Sequence, residues 1–259
     1  GNSYEKSGFI VNYLHKQTSN VGPTAFNVND VNSKFRLQIN DHSHLIFKAS
    51  IYDETSNSTY IGLTQTMYNM GGFDYVQLAP HDNLHIRRYA ASAIYSHYLT
   101  PKTRLTTSLF GYTTTRNWQR QDFTYNSFNG DGILNPKPSN YSGTTWGDET
   151  VSGGAIYMRN GTGNRNRQFE VGGVETRIGH KFSIGSMDNE FTSGFRFLYE
   201  RAFEQRVNGT KPDAKTGDLR EDEVRTGFAS SAFIHNRFVI TSRLSLTAGT
   251  RLEHFDYER

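Results

Sequence analysis

An all-β fold, an antiparallel transmembrane β-barrel wall, is predicted by three features of this 259-residue chain. Apolar and polar residues alternate with period 2 over long stretches, the pattern of strands with one apolar and one polar face. No convincing 3.6-residue period accompanies it. Short and long connections alternate along the chain, as they do where tight turns line the periplasmic rim and long loops the outer rim; a β-sandwich has no reason to keep that parity. The polar face carries Lys, Arg, Glu and Gln with small residues such as Gly194, Gly227 and Gly249, which suits a wide, wet lumen.

Nine strands follow in order, at about 6–17, 30–40, 43–53, 84–98, 103–118, 165–184, 189–206, 221–240 and 243–258. Val31, Phe35, Leu37 and Ile39 alternate with Lys34, Arg36 and Gln38, and Leu45, Phe47, Ala49 and Ile51 with Lys48 and Ser50. Phe191, Phe195, Phe197 and Tyr199 face one way, and Thr192, Gly194 and Arg196 the other. Phe228, Ala232, Ile234, Phe238 and Ile240 alternate with Arg225, Ser231, His235 and Arg237; Leu244, Leu246, Ala248 and Leu252 close the series against Arg243, Ser245, Thr247, Arg251 and Glu253. Tight turns are expected at Asn40–Ser43, Thr100–Lys102, Gly185–Asp188 and Thr241–Ser242. Long polar loops are expected at about 18–29, 54–83, 119–164 and 207–220. Residues near 60–80, 125–155 and 210–218 should face the exterior. Tyr98, Trp118, Phe255 and Tyr257, near strand ends, are expected as interfacial girdles.

Composition narrows the alternatives. Aromatics reach 14% although mean hydropathy is −0.67, so the chain can bury rings and is not disordered. No run approaches the roughly 18 apolar residues of a spanning helix. A net charge of +3 from 28 basic and 25 acidic residues gives no argument for nucleic acid. The absence of cysteine excludes a disulfide framework and a thiolate zinc site. No metal site is expected: His42 and His44 sit in a tight turn, and Asn129-Gly-Asp-Gly132 lacks the glutamate of a calcium loop. Asn57, Asn140, Asn160 and Asn208 fit glycosylation sequons, which carry little meaning in a bacterial outer membrane. No cluster of Ser, His and acidic residues marks a hydrolase rim. Gly1–Lys6 shows no leader peptide and reads as the middle of a longer chain.

Several stretches carry more than periodicity: Gly62-Leu63-Thr64 with Tyr68, Arg87-Arg88, Thr115-Arg-Asn-Trp118, Val171-Gly-Gly-Val-Glu-Thr-Arg177 through His180, Gly194-Phe-Arg-Phe-Leu-Tyr199 with Glu200 and Arg201, Arg225-Thr-Gly227 and Leu246-Thr-Ala-Gly-Thr-Arg-Leu-Glu253. In this order they resemble the barrel of TonB-dependent outer-membrane receptors, nearest the ferric-dicitrate-receptor branch, from about Phe9 to Phe255. The resemblance implies a partial receptor domain over residues 1–259, about nine strands of a 22-stranded barrel, without the plug or the closing strands. It implies uptake of a ferric chelate, iron being cargo and not a cofactor. The implied partners are the TonB–ExbB–ExbD system acting through the plug, and the lipid and lipopolysaccharide of the outer membrane. Another cargo, such as a cobalamin or a carbohydrate, a small self-contained structural barrel, and an outer-membrane hydrolase are the alternatives.

Two residue sets follow. An anionic chelate needs the planar guanidinium fork near the loop rim, and Arg88, Arg116, Arg120, Arg165 and Arg167 lie in or beside the outer loops. Arg87 and Arg88 must point to opposite faces, and Arg88 shares the wetter one with Ser92 and Ser96. Lower on the polar faces, Glu175, Arg177, Arg196, Arg237, Arg251 and Glu253 are placed to pair across strands and, by the resemblance, to meet a plug.

Overall fold

The structure is a computed structural model describing residues 1–21, 24–72, 78–185 and 187–259. Its elements are β1 (Asn2–Ser3), β2 (Ser7–Val21), β3 (Thr24–Asn40), β4 (Ser43–Ser56), α1 (Gln65–Asn69), β5 (Asn83–Thr100), β6 (Thr103–Gln119), β7 (Gln121–Tyr125), β8 (Tyr141–Gly147), β9 (Ala155–Ile184), β10 (Met187–Gly209), β11 (Asp218–Thr241) and β12 (Leu244–Glu258). One antiparallel sheet holds every strand, in the order β1-β2-β3-β4-β5-β6-β9-β10-β11-β12, with β7 and β8 also paired to β9. The nine expected strands are the nine long ones of this wall. The other three are the short β1 and two strands inside the loop between β6 and β9.

Register divides the wall into two faces. The row Phe35–Phe47–Ala93–Leu109–Val174–Phe197 runs across six strands on one side. Its large members stay open to the surroundings, Phe47 at 44% and Leu109 at 58% exposure. Apolar side chains left this bare across a whole sheet are stable when lipid is the solvent. The opposite face carries the row Lys48–Ser92–Phe110–Gly173 and the charged residues described below. Glycines there do more than keep the lumen wide. Gly194 lies directly across from Phe233, and a Cβ on it would sit 2.6 Å from that ring. Gly173 receives Phe110 in the same way, at 2.5 Å. Each ring lies over a glycine of the neighbouring strand, which pins the register.

The short turns occur where expected, at residues 41–42, 101–102, 185–186 and 242–243, with Gly185 in the left-handed region at φ +60°. Ser186 lies outside the described residues. The alternation of short with long connections fails once. The loop expected at 18–29 is strand on both sides, β2 reaching Val21 and β3 starting at Thr24, and residues 22–23 between them lie outside the described residues. Beyond the lipid both faces of a strand meet water, so a polar run can stay in the ladder without apolar alternation. Residues 155–164, the first third of the 30-residue β9, stay in the ladder for a different reason: they pair with β7 and β8 and are mostly buried.

Two further expectations are corrected. Tyr98, Trp118, Phe255 and Tyr257 pair with Arg104, Arg165, Ala229 and Gly227, which places all four on the polar face. The rings on the lipid side include Tyr89, Tyr95 and Tyr199. One helical turn also exists. Thr64 caps α1 by accepting from the Met67 amide at 3.1 Å while its hydroxyl donates to the Gly154 carbonyl at 3.0 Å.

The conventional hydrophobic core lies in the loops. Ile61, Met67, Leu78, Ala79, Ile156 and Met158 are buried together, with Phe123 and Trp146 packed against them. The Trp146 indole donates to the Leu78 carbonyl at 3.1 Å. Asn126 ties the hairpin behind it, accepting from the Ala155 amide at 2.9 Å and donating to the Glu149 and Val151 carbonyls. The β4–β5 and β6–β9 loops thus form one packed platform above the wall.

Candidate functional site

Strand register puts Arg88, Arg116, Arg165 and Arg167 on one patch of the polar face, and Arg120 joins them over the Trp118 ring. Arg88 on β5 lies across from Thr114, and Arg116 on β6 lies across from Ile86 and Arg167. Arg165 on β9 lies across from Trp118 and Arg206. Arg120 follows the end of β6. Arg87, as alternation requires, points the other way and pairs with Asp53 at 2.6 Å.

Ion pairing sorts the five. Arg165 meets Glu221 at 2.7 Å, and Arg167 meets Glu204 at 3.3 Å. Arg206 and Arg225 join the same acids, so on this side of the patch four arginines are ion-paired to two glutamates. Arg88, Arg116 and Arg120 have no carboxylate within ion-pair distance among the described residues. Each instead lies over an aromatic ring: Arg88 over Tyr112 at 4.4 Å, Arg116 over Trp118 at 4.9 Å, and Arg120 over Tyr60 at 4.3 Å and Trp118 at 5.2 Å. A ring face holds a guanidinium in place without consuming its hydrogen-bonding fork. Arg116 and Arg167 are like charges on directly opposed positions, and the Glu204 carboxylate offsets that repulsion at Arg167.

The loop side of the patch was not foreseen. Tyr60 packs edge-on against Trp118 with ring centroids 5.7 Å apart, and the Trp118 indole donates to the Ser58 carbonyl at 3.0 Å. Asp82 is 1% exposed and accepts from the Gln121 amide at 2.7 Å, while its second oxygen has no partner among the described residues. Burial pushes its carboxyl up to about 6, against the opposing pull of that amide, the nearby Thr59 hydroxyl and the Arg120 charge. Burial likewise lowers Arg120 from its ordinary value. Charge and ring adjacency in Trp118-Gln-Arg120 was the readable signal. The approach of Tyr60 and Asp82 from a distant loop was not readable.

The second expected set lies on the polar face, with its pairing changed. Glu175–Arg177 at 3.0 Å and Arg251–Glu253 at 2.6 Å pair along single strands. Only Arg237 pairs across strands, with Glu190 at 3.3 Å. Arg196 passes over its cross-strand neighbour Glu175 and lies 5.3 Å from the Phe110 ring. Lys34 and Lys48 face each other directly at the floor of a concavity of about 410 Å³.

No family model and no curated protein matches the chain. Solved structures do. A crystal structure of the ferric citrate transporter FecA, unliganded, superposes with a TM-score of 0.76 at 18% identity, over 99% of this chain and 34% of that one. The ferric-catecholate import receptor Fiu of E. coli K12, in its open form, gives 0.69 at 12% identity, covering 99% of this chain and 41% of that one. The ferric preacinetobactin receptor BauA of Acinetobacter baumannii gives 0.69 at 10%, covering 98% and 37%. The chain therefore spans between a third and two fifths of the length of these proteins, with antiparallel strands, tight turns on one rim and long loops on the other. Its fold is that of part of the barrel wall of TonB-dependent outer-membrane receptors.

Proposed function

We propose that this wall belongs to a TonB-dependent transporter that takes an anionic ferric chelate across the bacterial outer membrane. The observation that carries the reading is the trio Arg88, Arg116 and Arg120, whose guanidinium groups are held over rings and left without carboxylates among the described residues. Carboxylate or similar anionic donors of a chelate are the natural partners of such forks. Arg165 and Arg167 supply the rim of the patch and become available only if Glu221 and Glu204 release them. The work is capture and passage; no bond of the cargo is broken, and iron enters as cargo. Residues 1–259 form a partial receptor barrel domain in this reading. A plug linked to TonB–ExbB–ExbD gates the lumen, and Glu175, Arg177, Arg196, Arg237, Arg251, Glu253 and the opposed Lys34 and Lys48 seat it. Lipid and lipopolysaccharide surround the outer face.

Titration of the full-length protein with ferric citrate and, in parallel, with a neutral ferric siderophore tests this. Arg88→Ala and Arg116→Ala should each weaken binding of the anionic chelate at least tenfold, because losing one desolvated charged partner costs about 2–5 kcal/mol. Lysine at either position should restore only part, since it keeps the charge and loses the fork. Barrel abundance in the membrane should not change. Wild-type affinity for every chelate in both alanine variants would refute the reading. Selective binding of the neutral compound would move the cargo to the uncharged class.

A further inference from the structure

The strands that present the arginine patch to the lumen present a second surface outward. Between Arg116 and Trp118 on the lumenal side stands Asn117, followed by Gln119. Between Arg165 and Arg167 stands Asn166, preceded by Asn164. Register aligns His85, Asn117 and Asn166 in one row across β5, β6 and β9, on the face that carries Tyr89 and Leu109 lower down. With Gln119, Asn164 and Lys215 from the β10–β11 loop, they line an open cavity of about 260 Å³. His85 lies four residues from Tyr89, about 13 Å along the strand and about 10 Å along the membrane normal once strand tilt is included. The cavity therefore opens outward above the apolar band, at the level of the outer-leaflet head groups.

We propose that this cavity is a saccharide-binding site. Asn117 and Asn166 are direct cross-strand partners, yet neither side chain has a hydrogen-bond partner among the described residues, and the same is true of Gln119. Asn164, 4% exposed, donates to the Ala214 carbonyl at 2.8 Å, while its carbonyl oxygen is buried and unpartnered. A buried acceptor without a partner is costly, and a ligand donor relieves it. His85 is steadied from behind by Asp53 at 3.6 Å. Each carboxamide offers one acceptor and two donors, the complement of adjacent hydroxyls on a sugar ring. Among the described residues the lining has no carboxylate, and its lysine, Lys215, serves a single anionic substituent. A cavity of this size holds one ring. The ligand is a sugar residue either of the lipopolysaccharide around the barrel or of a glycan arriving from outside.

Saturation-transfer difference NMR on the full-length protein in detergent distinguishes these sources, with delipidated lipopolysaccharide oligosaccharide in one arm and maltotriose in the other. Saturable binding should fall at least tenfold in the Asn117→Ala/Asn166→Ala double variant, whose side chains make no hydrogen bond among the described residues. Lys215→Glu should weaken only the phosphorylated oligosaccharide. Preference for that oligosaccharide assigns the site to the surrounding leaflet, and equal binding of maltotriose assigns it to glycans at large. Heat-modifiable mobility on gels checks that the double variant folds. The absence of saturable binding in both arms, or binding unchanged by the double variant, overturns the proposal.

Discussion

The wall and the platform above it solve the same burial problem in opposite ways. In the wall, Leu109 and Phe47 remain about half exposed and are satisfied by a solvent of hydrocarbon. In the platform, Met67 and Ile156 are fully buried by residues drawn from two loops. Stability in the wall comes from ladder hydrogen bonds and cross-strand pairs, whereas in the platform it comes from close packing, as in a small water-soluble domain. A lipid-facing side chain is therefore replaceable by any apolar group, because lipid refills the space. A platform side chain has a fixed shape to match.

The widest contrast is expected on truncation. Ile156→Ala or Met67→Ala should destabilise the platform by about 2–5 kcal/mol. Amide exchange would rise at residues 61–69 and 155–158 while the wall below stays protected. Leu109→Ala should fall at the bottom of that range, about 2 kcal/mol, since only the transfer term is lost and no fixed cavity forms where lipid is the neighbour. Equal losses at both places would show that the two regions do not differ in this way. Charge inverts the test. Leu109→Arg should cost about 2–4 kcal/mol if it sits near the midplane, measured by refolding into lipid vesicles. Ser108→Arg should be mild, because it enters the wet face opposite Glu175. If the two arginine variants refold alike, the face assignment is wrong, for a slip of one residue exchanges the faces.

A third effect separates the regions by pH. Asp82 has its folded-state carboxyl raised from 3.8 to about 6, chiefly by burial. A raised carboxyl favours the folded platform most when protonated. The advantage is complete below about pH 4 and is lost as pH rises through about 6, amounting to at most about 3 kcal/mol at roughly 1.4 kcal/mol per unit. Exchange at the Gln121 amide, corrected for its intrinsic pH dependence, should be slower at pH 5 than at pH 7. Asp82→Asn keeps the acceptor for that amide and should flatten the profile. A profile that persists in the Asn variant would place the titrating group elsewhere.

The same contrast explains what the sequence made legible. The wall could be read strand by strand because lipid on one side and water on the other impose period 2, and because its turns are two residues long. Above the lipid that constraint ends, so the outer ends of β2, β3 and β9 looked like loop. The platform core joins Ile61 to Ile156 and Leu78 to Trp146 across most of a hundred residues, and no local pattern records such contacts. The arginine patch was legible as composition and parity. Its division was not: Glu204 and Glu221 neutralise two members only because β10 and β11 bring them alongside, and Tyr60 reaches Arg120 from another loop.

The length of β9 restricts how this chain can change. Thirty residues form one strand, and residues 162–184 of it pair with β10 without a register break down to the far turn, although about 9–11 suffice to cross the membrane. Inserting one residue at Gly161 would turn every side chain on one side of that point through to the opposite face, exchanging either Ile156 and Met158 or Glu175 and Arg177 with their neighbours. Insertions there must come in twos, or be absorbed by a bulge. The eight residues at 210–217 carry no such arithmetic and can lengthen on either side of Ala214, whose carbonyl is held by Thr162 and Asn164. Between homologous chains, length differences should therefore accumulate in that loop and in the β7–β8 connection, while the outer half of β9 keeps its count.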